Sequence, residues 1–311
     1  MIAFGPVPSR RLGRSLGINN VPIKGCPYSC AYCQLGRTIH REMEPRVFFA
    51  PREIFGEVQE KLLRLKEAGG AVDYLTFVPH GEPTLDENLG QAMDRVRELG
   101  VKVAVITNGA LLWRPEVRER ILGADLACLK VDAADERTWR EINRPHPDLK
   151  LAQVLEGMRA FARSFAGELT TETMLVEGAN DGEAQVAQVV GFLAAIAPAR
   201  AYIAVPTRPP AERWARAPAD AVIQRAHQQM ASRLGHVECH TGHEGTDLIP
   251  TGNPADDILS IASVHPIRQD AMDAFLRRSG ADWGLVRQLV DQEQLSEMEF
   301  GRERFYVRRM R

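Results

Sequence analysis

Lys24-Gly25-Cys26-Pro27-Tyr28-Ser29-Cys30-Ala31-Tyr32-Cys33 follows directly on Ser15–Ile23, a run that reads as the first strand of the chain. Three of the five cysteines crowd into this loop, while Cys128 and Cys239 lie far away. An odd count with tight clustering is a poor disulfide framework and points to metal or redox chemistry. Three thiolates in a short loop can each bind one iron of a cubane cluster, leaving the fourth iron open to an exogenous ligand. The competing reading is half of a structural zinc site. Zinc wants a fourth ligand and commonly uses paired C-x2-C elements, and only Cys30 and Cys33 form such a pair. Cys128 falls in an expected strand and reads as core. Cys239, with His240 and His243, remains as a distant source of ligands.

The strand before the loop opens a regular series. Pro51–Ala68 carries a helical stripe of Ile54, Val58, Leu62 and Leu65, with proline in its first turn. Val72–Val78 reads as a strand, Asp86–Leu99 as a helix ended by Gly100, and Val101–Ile106 as the next strand. Helices at Pro115–Leu122, Leu151–Phe165, Glu183–Ala197 and Ala219–Leu234 then alternate with strands at Asp125–Val131, Leu169–Val176 and Ala201–Val205. Six such βα units predict a parallel sheet covered by helices, either open or closing towards a barrel. In both, ligands gather at the C-terminal ends of the strands. Residues 236–255 read as a connector. Two helices, Arg268–Arg278 and Asp282–Gln294, and a hairpin of Glu297–Phe300 with Arg304–Arg308 around Gly301 follow. That order predicts a winged-helix-like domain over residues 256–311, after a main domain of residues 1–235.

The bulk numbers bound the function. A chain of 311 residues with 44% apolar and 26% charged residues expects a packed core. A net charge of −2 argues against wholesale polyanion binding, yet the charge is uneven. Arg10, Arg11, Arg14, Lys24, Arg37 and Arg41 precede the first acid, and Arg302, Arg304, Arg308, Arg309 and Arg311 follow Phe300 against Glu303 alone. The first three arginines, close before the cysteine loop, are expected near the mouth of the barrel. No apolar run reaches the roughly 18 residues of a membrane span. The N-terminal residues lack a signal-peptide pattern, so a cytoplasmic protein without a membrane partner is expected.

Three further motifs fall at expected strand ends: Val78-Pro79-His80-Gly81-Glu82-Pro83-Thr84, then Thr107-Asn108-Gly109, then Lys130-Val131-Asp132. A strand-end carboxylate such as Glu82 suits an ammonium group, and Lys130 suits a carboxylate. With the cysteine loop, these segments resemble the radical S-adenosylmethionine (SAM) superfamily. The loop matches its C-x3-C-x-aromatic-C signature, with Tyr32 as the aromatic, and Gly81-Glu82-Pro83 matches its GGEP segment, with His80 in place of the first glycine. The resemblance implies a partial (β/α)6 TIM-like barrel with an N-terminal extension. It implies a [4Fe–4S] cluster on Cys26, Cys30 and Cys33. It places SAM against Tyr32, Gly81, Glu82, Pro83, Thr107, Asn108, Lys130 and Asp132. Reductive cleavage of SAM to a 5′-deoxyadenosyl radical follows, with an electron donor such as flavodoxin or ferredoxin.

The likeness extends to Gly5-Pro6-Val7-Pro8-Ser9-Arg10-Arg11-Leu12-Gly13, Gln34-Leu35-Gly36-Arg37-Thr38, Asn143-Arg144-Pro145-His146, Pro206-Thr207-Arg208-Pro209-Pro210 and His265-Pro266-Ile267-Arg268. These segments resemble a group of radical SAM proteins placed with the tRNA wyosine-synthesis enzymes, which implies a tRNA or other RNA substrate. Two alternatives stand beside it. One is a radical activase or modifier of a protein, peptide or small molecule. The other is a non-catalytic, metal-containing nucleic-acid-binding protein.

Overall fold

The computed structural model describes residues 2–22, 24–242 and 245–309. Ile23, His243 and Arg311, named above, lie outside the described residues. Strands β1 (Ala3–Ser9), β2 (Gly13–Ile18), β3 (Tyr74–Phe77), β4 (Lys102–Thr107), β5 (Leu126–Lys130), β6 (Glu168–Met174), β7 (Arg200–Ala204) and β8 (Val237–His240) form one sheet in that spatial order. From β2 to β8 every pairing is parallel, and β1 returns antiparallel along β2. The sheet curls into a half-barrel, the partial TIM barrel expected. It exceeds the expectation by one strand at each side. The N-terminal extension supplies β1, and residues 237–240 of the expected connector supply β8.

Helices cover the outside of the sheet in the order the periodicity predicts: α1 (Pro51–Glu67), α2 (Leu89–Arg97), α3 (Pro115–Ile121), α5 (Leu151–Ser164), α6 (Glu183–Ile196) and α7 (Asp220–Ala231). The stripe of α1 buries Ile54, Val58 and Leu65. Helix α2 begins three residues later than expected. Pro83–Leu85 forms a tight turn first, and the Asp86 carboxylate accepts the Asn88 N–H at 3.0 Å. A short helix not foreseen, α4 (Glu136–Ile142), is capped by Asp135, whose side chain accepts the Thr138 N–H at 2.9 Å.

The turn between β1 and β2 lies at the N-terminal ends of the parallel strands, away from the cysteine loop. Leu12 there packs on Ala104, Leu126 and Cys128 inside the sheet. Of Arg10, Arg11 and Arg14, expected near the mouth, the first two line the same cavity as the cysteines with their side chains, and Arg14 does not. Hairpin geometry puts their backbone at the other end of the barrel. Arg14 pairs outside with Asp73, and Arg11 reaches into the interior.

The C-terminal module contains α8 (Pro254–Val264), β9 (Ile267–Arg268), α9 (Gln269–Ser279), α10 (Trp283–Asp291), β10 (Leu295–Phe300) and β11 (Glu303–Arg308). Strands β10, β11 and β9 pair antiparallel in that order. Its own core includes Ile258, Ile261, Met272, Phe275, Leu289 and Tyr306. Helix α8 lies against β1, and the half-buried Lys61 ammonium of α1 donates to Asp257 of α8 at 2.7 Å. Among the described residues no helix is long and apolar enough to cross a membrane.

Candidate active site

The four motifs sit on four successive strand ends. The cysteine loop follows β2, His80–Pro83 follows β3, Thr107–Gly109 closes β4 and Lys130–Asp132 closes β5. A cavity of about 340 Å³ opens over them. Its lining includes Cys26, Cys30, Tyr32, Cys33, Gly81, Glu82, Thr107, Asn108 and Lys130.

The loops are interlocked by backbone and carboxylate contacts. Glu82 donates its N–H to the Gly25 carbonyl at 2.9 Å. A β-carbon on Gly81 would meet that same carbonyl oxygen at 1.7 Å, so only glycine lets the two loops approach. The buried Glu82 carboxylate accepts from the Thr84 hydroxyl at 2.6 Å, the Thr84 N–H at 3.2 Å, the Thr107 hydroxyl and the Asn108 N–H at 2.9 Å. All four donors are neutral. Burial raises the Glu82 carboxyl above its usual range, against the pull of these bonds.

Hydrogen-bond donors also reach the sulfurs. Cys26 Sγ accepts from the Tyr28 N–H and from Asn108 Nδ2, both at 3.4 Å, and Cys30 Sγ from Asn143 Nδ2 at 3.5 Å. Burial pushes the Cys30 thiol up to about 12, with Asp132 adding to it, and lifts Cys26 well above the ordinary range. Iron binding must displace those protons. Donors of this kind tune thiolate-held clusters, and a cubane takes one thiolate per iron rather than three on one ion. The donor set fits such a cluster. Among the described residues no three His, Cys, Asp or Glu side chains are grouped around a single ion. Cys239, which the zinc alternative would enlist, is exposed on β8 and does not line the cavity.

Two of the expected SAM contacts stand outside the cavity lining. Asp132 does not line the cavity, because its carboxylate is occupied by the Tyr32 hydroxyl, by Asn143 Nδ2 at 2.7 Å and by the Met174 N–H at 2.9 Å. It positions the cysteine loop instead. Pro83 is likewise buried away from the lining, and its carbonyl accepts from Asn20 at 3.1 Å. His80, the departure from the GGEP pattern, is also outside the lining. Its ring bonds Asn19, and Arg308 and the Ser263 backbone of the C-terminal module lie close enough to act on it.

The outer motifs turn out to brace the loop. Asn143 and Ile142, at the end of α4, accept the N–H groups of Ser29 and Ala31, and Pro27 accepts that of His146. Glu212 binds Arg37 at 2.6 Å and Arg144 at 2.5 Å, and its carboxyl falls to about 2 under those two hydrogen bonds. Arg208 bonds Gln34 at 3.1 Å and His265 at 3.0 Å, and Gln34 donates to the Val264 carbonyl at 2.8 Å. Val264 and His265 also line the cavity. Glu212, and Glu172 of β6, which bonds Lys130, carry no motif of their own. An isolated acid between loops or in a strand gives no sequence signal for its partner.

A half-barrel of parallel strands, with three cysteines in the first strand-end loop and all four motifs in register, defines a radical SAM enzyme. The radical SAM superfamily matches residues 20–190, more than half of the chain, and the chain belongs to it. It belongs equally to the UPF0026 proteins: it is 41% identical to UPF0026 protein MJ1312 of Methanocaldococcus jannaschii over 100% of this chain and 97% of that protein. A probable dual-specificity RNA methyltransferase RlmN of Treponema pallidum is 27% identical over 54% of this chain and 48% of its own length. Among solved structures, a radical SAM methyltransferase from Sphaerobacter thermophilus superposes with a TM-score of 0.57 at 16% identity, covering 74% of this chain and 66% of its own, a likeness of fold. Archaeal TYW1 is also similar, with a TM-score of 0.44 at 13% identity over 95% of this chain and 79% of its own. Membership implies SAM and an iron–sulfur cluster as cofactors.

Proposed function

We propose that Cys26, Cys30 and Cys33 hold a [4Fe–4S] cluster that cleaves SAM reductively, and that the enzyme modifies an RNA, with tRNA the first substrate to test. The supporting observation is that three thiols and the motif residues of four strand ends face one cavity. When bound, the reduced cluster and SAM together supply a 5′-deoxyadenosyl radical, which takes a hydrogen atom from an unreactive carbon. The chain's own residues prepare the place. Gly81, Glu82, Thr107, Asn108 and Tyr32 would receive SAM; Lys130, expected beside them, is bonded to Glu172 of β6 and is left out of that set. Asn108, Asn143 and the Tyr28 N–H direct hydrogen bonds at sulfur, and the C-terminal module covers part of the opening and limits water. A flavodoxin or ferredoxin would deliver the electron.

The RNA reading draws on the RlmN relative, whose name carries that substrate, and on Arg37 and Arg41 in the loop after the cysteines. The C-terminal module contributes less than its winged-helix-like order suggests, because residues 254–311 carry ten acids against nine arginines.

Anaerobic reconstitution should yield about four irons and four sulfides per chain. With a strong reductant the protein should then form 5′-deoxyadenosine from SAM. Cys26→Ala with Cys30→Ala and Cys33→Ala should abolish both, while Cys128→Ala and Cys239→Ala should not. A full cluster in the triple variant overturns the assignment. Binding of tRNA should weaken with salt by a slope of about −0.7 per contacted phosphate of a single strand. Absence of any salt-sensitive binding by cluster-loaded protein removes RNA as the substrate.

A further inference from the structure

The cavity has a wall that the cofactors do not account for. Arg11, on the β1–β2 turn, reaches inward to the Glu172 carboxylate of β6, and Lys130 of β5 bonds the other oxygen of the same group. One carboxylate thus serves two cations. Arg10, from the same turn, lines the cavity beside them and donates to the Gly242 carbonyl at 2.8 Å. Glu82, the other acid of the lining, is engaged by neutral donors on the cysteine side. Arg11 and Lys130 thus outnumber the one carboxylate that serves them.

It is also sheltered from water. The side chains of Arg11 and Lys130 are 18% and 19% exposed, and that of Glu172 is 9% exposed. Charge removed from water needs compensation close at hand. A neighbouring ring registers the same field. His240, stacked on Tyr202 at 4.6 Å between centroids, is held at about 4, first by burial and then by Arg10 and Arg11. The Arg11 guanidinium lies 6.0 Å from the centre of that Tyr202 ring. Had the trio only to plug the barrel, one cation for one carboxylate would suffice.

We propose that this wall is an oxyanion subsite, in which Arg11 and Lys130 bind a phosphate or carboxylate group of the substrate, with Arg10 and the His240 ring beside them. The proposal rests on the reading that the substrate enters this cavity. Glu172 is a positioning residue that keeps Arg11 and Lys130 extended into the cavity. Anchoring one end of the substrate here would fix which carbon faces the cofactors, the kind of positioning that makes radical abstraction selective.

The test needs neither turnover nor the natural substrate. Cluster-loaded protein is titrated calorimetrically with inorganic phosphate and, separately, with malonate. At least one should bind saturably, and the one preferred identifies the anionic group. Arg11→Gln should weaken that binding by roughly tenfold, the scale of one charge-assisted hydrogen bond. Arg11→Lys should lose less. A second measurement uses the wild type alone. Phenylglyoxal modification, mapped by mass spectrometry, should be slowed at Arg10 and Arg11 by the bound anion and unchanged at Arg14. Absence of saturable binding by both anions, or binding indifferent to Arg11→Gln together with unprotected Arg11, overturns the subsite. SAM cleavage measured on the same wild-type preparation separates the two proposals. Its loss strikes the cofactor reading, whereas its presence without anion binding strikes only this one.

Discussion

The two walls of the cavity solve opposite electrostatic problems. On the cysteine side, the acid Glu82 and the thiols of Cys26 and Cys30 are met by neutral donors: two threonine hydroxyls, two asparagine amides and backbone N–H groups. On the other side, Arg11 and Lys130 meet a formal charge, Glu172. Neutral donors hold geometry without fixing the charge of what they hold, which suits a site whose ligands change charge on metal binding and reduction. A charged wall suits a ligand whose charge stays constant. The difference indicates that the cysteine wall is built for chemistry and the arginine wall for grip.

Breaking the cysteine wall at Glu82 should have the largest effect. Glu82→Ala orphans the Asn108 and Thr84 N–H groups and two hydroxyls, and each buried unsatisfied donor costs roughly 1–3 kcal/mol. Urea denaturation should therefore show a loss of several such units, with SAM affinity falling alongside. A variant of undiminished stability would show that the four contacts are incidental.

Acid should separate the walls next. His240 has a folded value of about 4 against an ordinary value near 6.5, so its protonation favours the unfolded chain. Stability on the arginine side should decline as pH falls from about 6.5 towards 4. Glu212, which braces the cysteine loop, is depressed to about 2, chiefly by Arg37 and then by Arg144. Its contribution is present above about 4.5 and is lost as pH falls from there towards 2. Melting temperatures across pH should show both windows. Glu212→Gln should flatten the lower window only, and His240→Asn the upper only. One shared window would mean that the walls are not independent.

The smallest effect is expected at Arg14. It forms an exposed pair with Asp73 outside the barrel, and such pairs contribute little. Arg14→Ala should leave the melting temperature and anion binding where they were. A clear loss of anion binding would extend the arginine wall beyond the cavity.

The walls also differ in how far the sequence discloses them. Cys26, Cys30, Cys33, Gly81 and Glu82 lie in short local motifs, so spacing alone places them together at strand ends. The sheet was legible for the same reason, since its βα periodicity is local. Arg11 and Glu172 are 161 residues apart, and nothing in either neighbourhood names the other. The bonds of Asp132 to Tyr32, Asn143 and Met174 were not legible, because a K-x-D strand end looks alike whether its acid faces the cavity or the loop beneath it. Strands β1 and β8 were missed because proline and glycine interrupt the first, and the second has only four residues among loop-like neighbours.

Helix α8 covers the outer side of β1, the strand that ends the sheet on the N-terminal side. A terminal strand with exposed backbone donors and acceptors is a template for strand addition from another chain. Lys61 and Asp257 clamp the cover in place, and Asp257 also holds the Thr251 backbone at 2.7 Å. The module after residue 254 thus sits where it can shield this strand from strand addition, as well as lining the cavity through Val264 and His265. Deleting it uncovers an adhesive margin of the barrel, so a truncated chain that gains affinity for RNA or for itself has shown its bare edge rather than the work of the missing module.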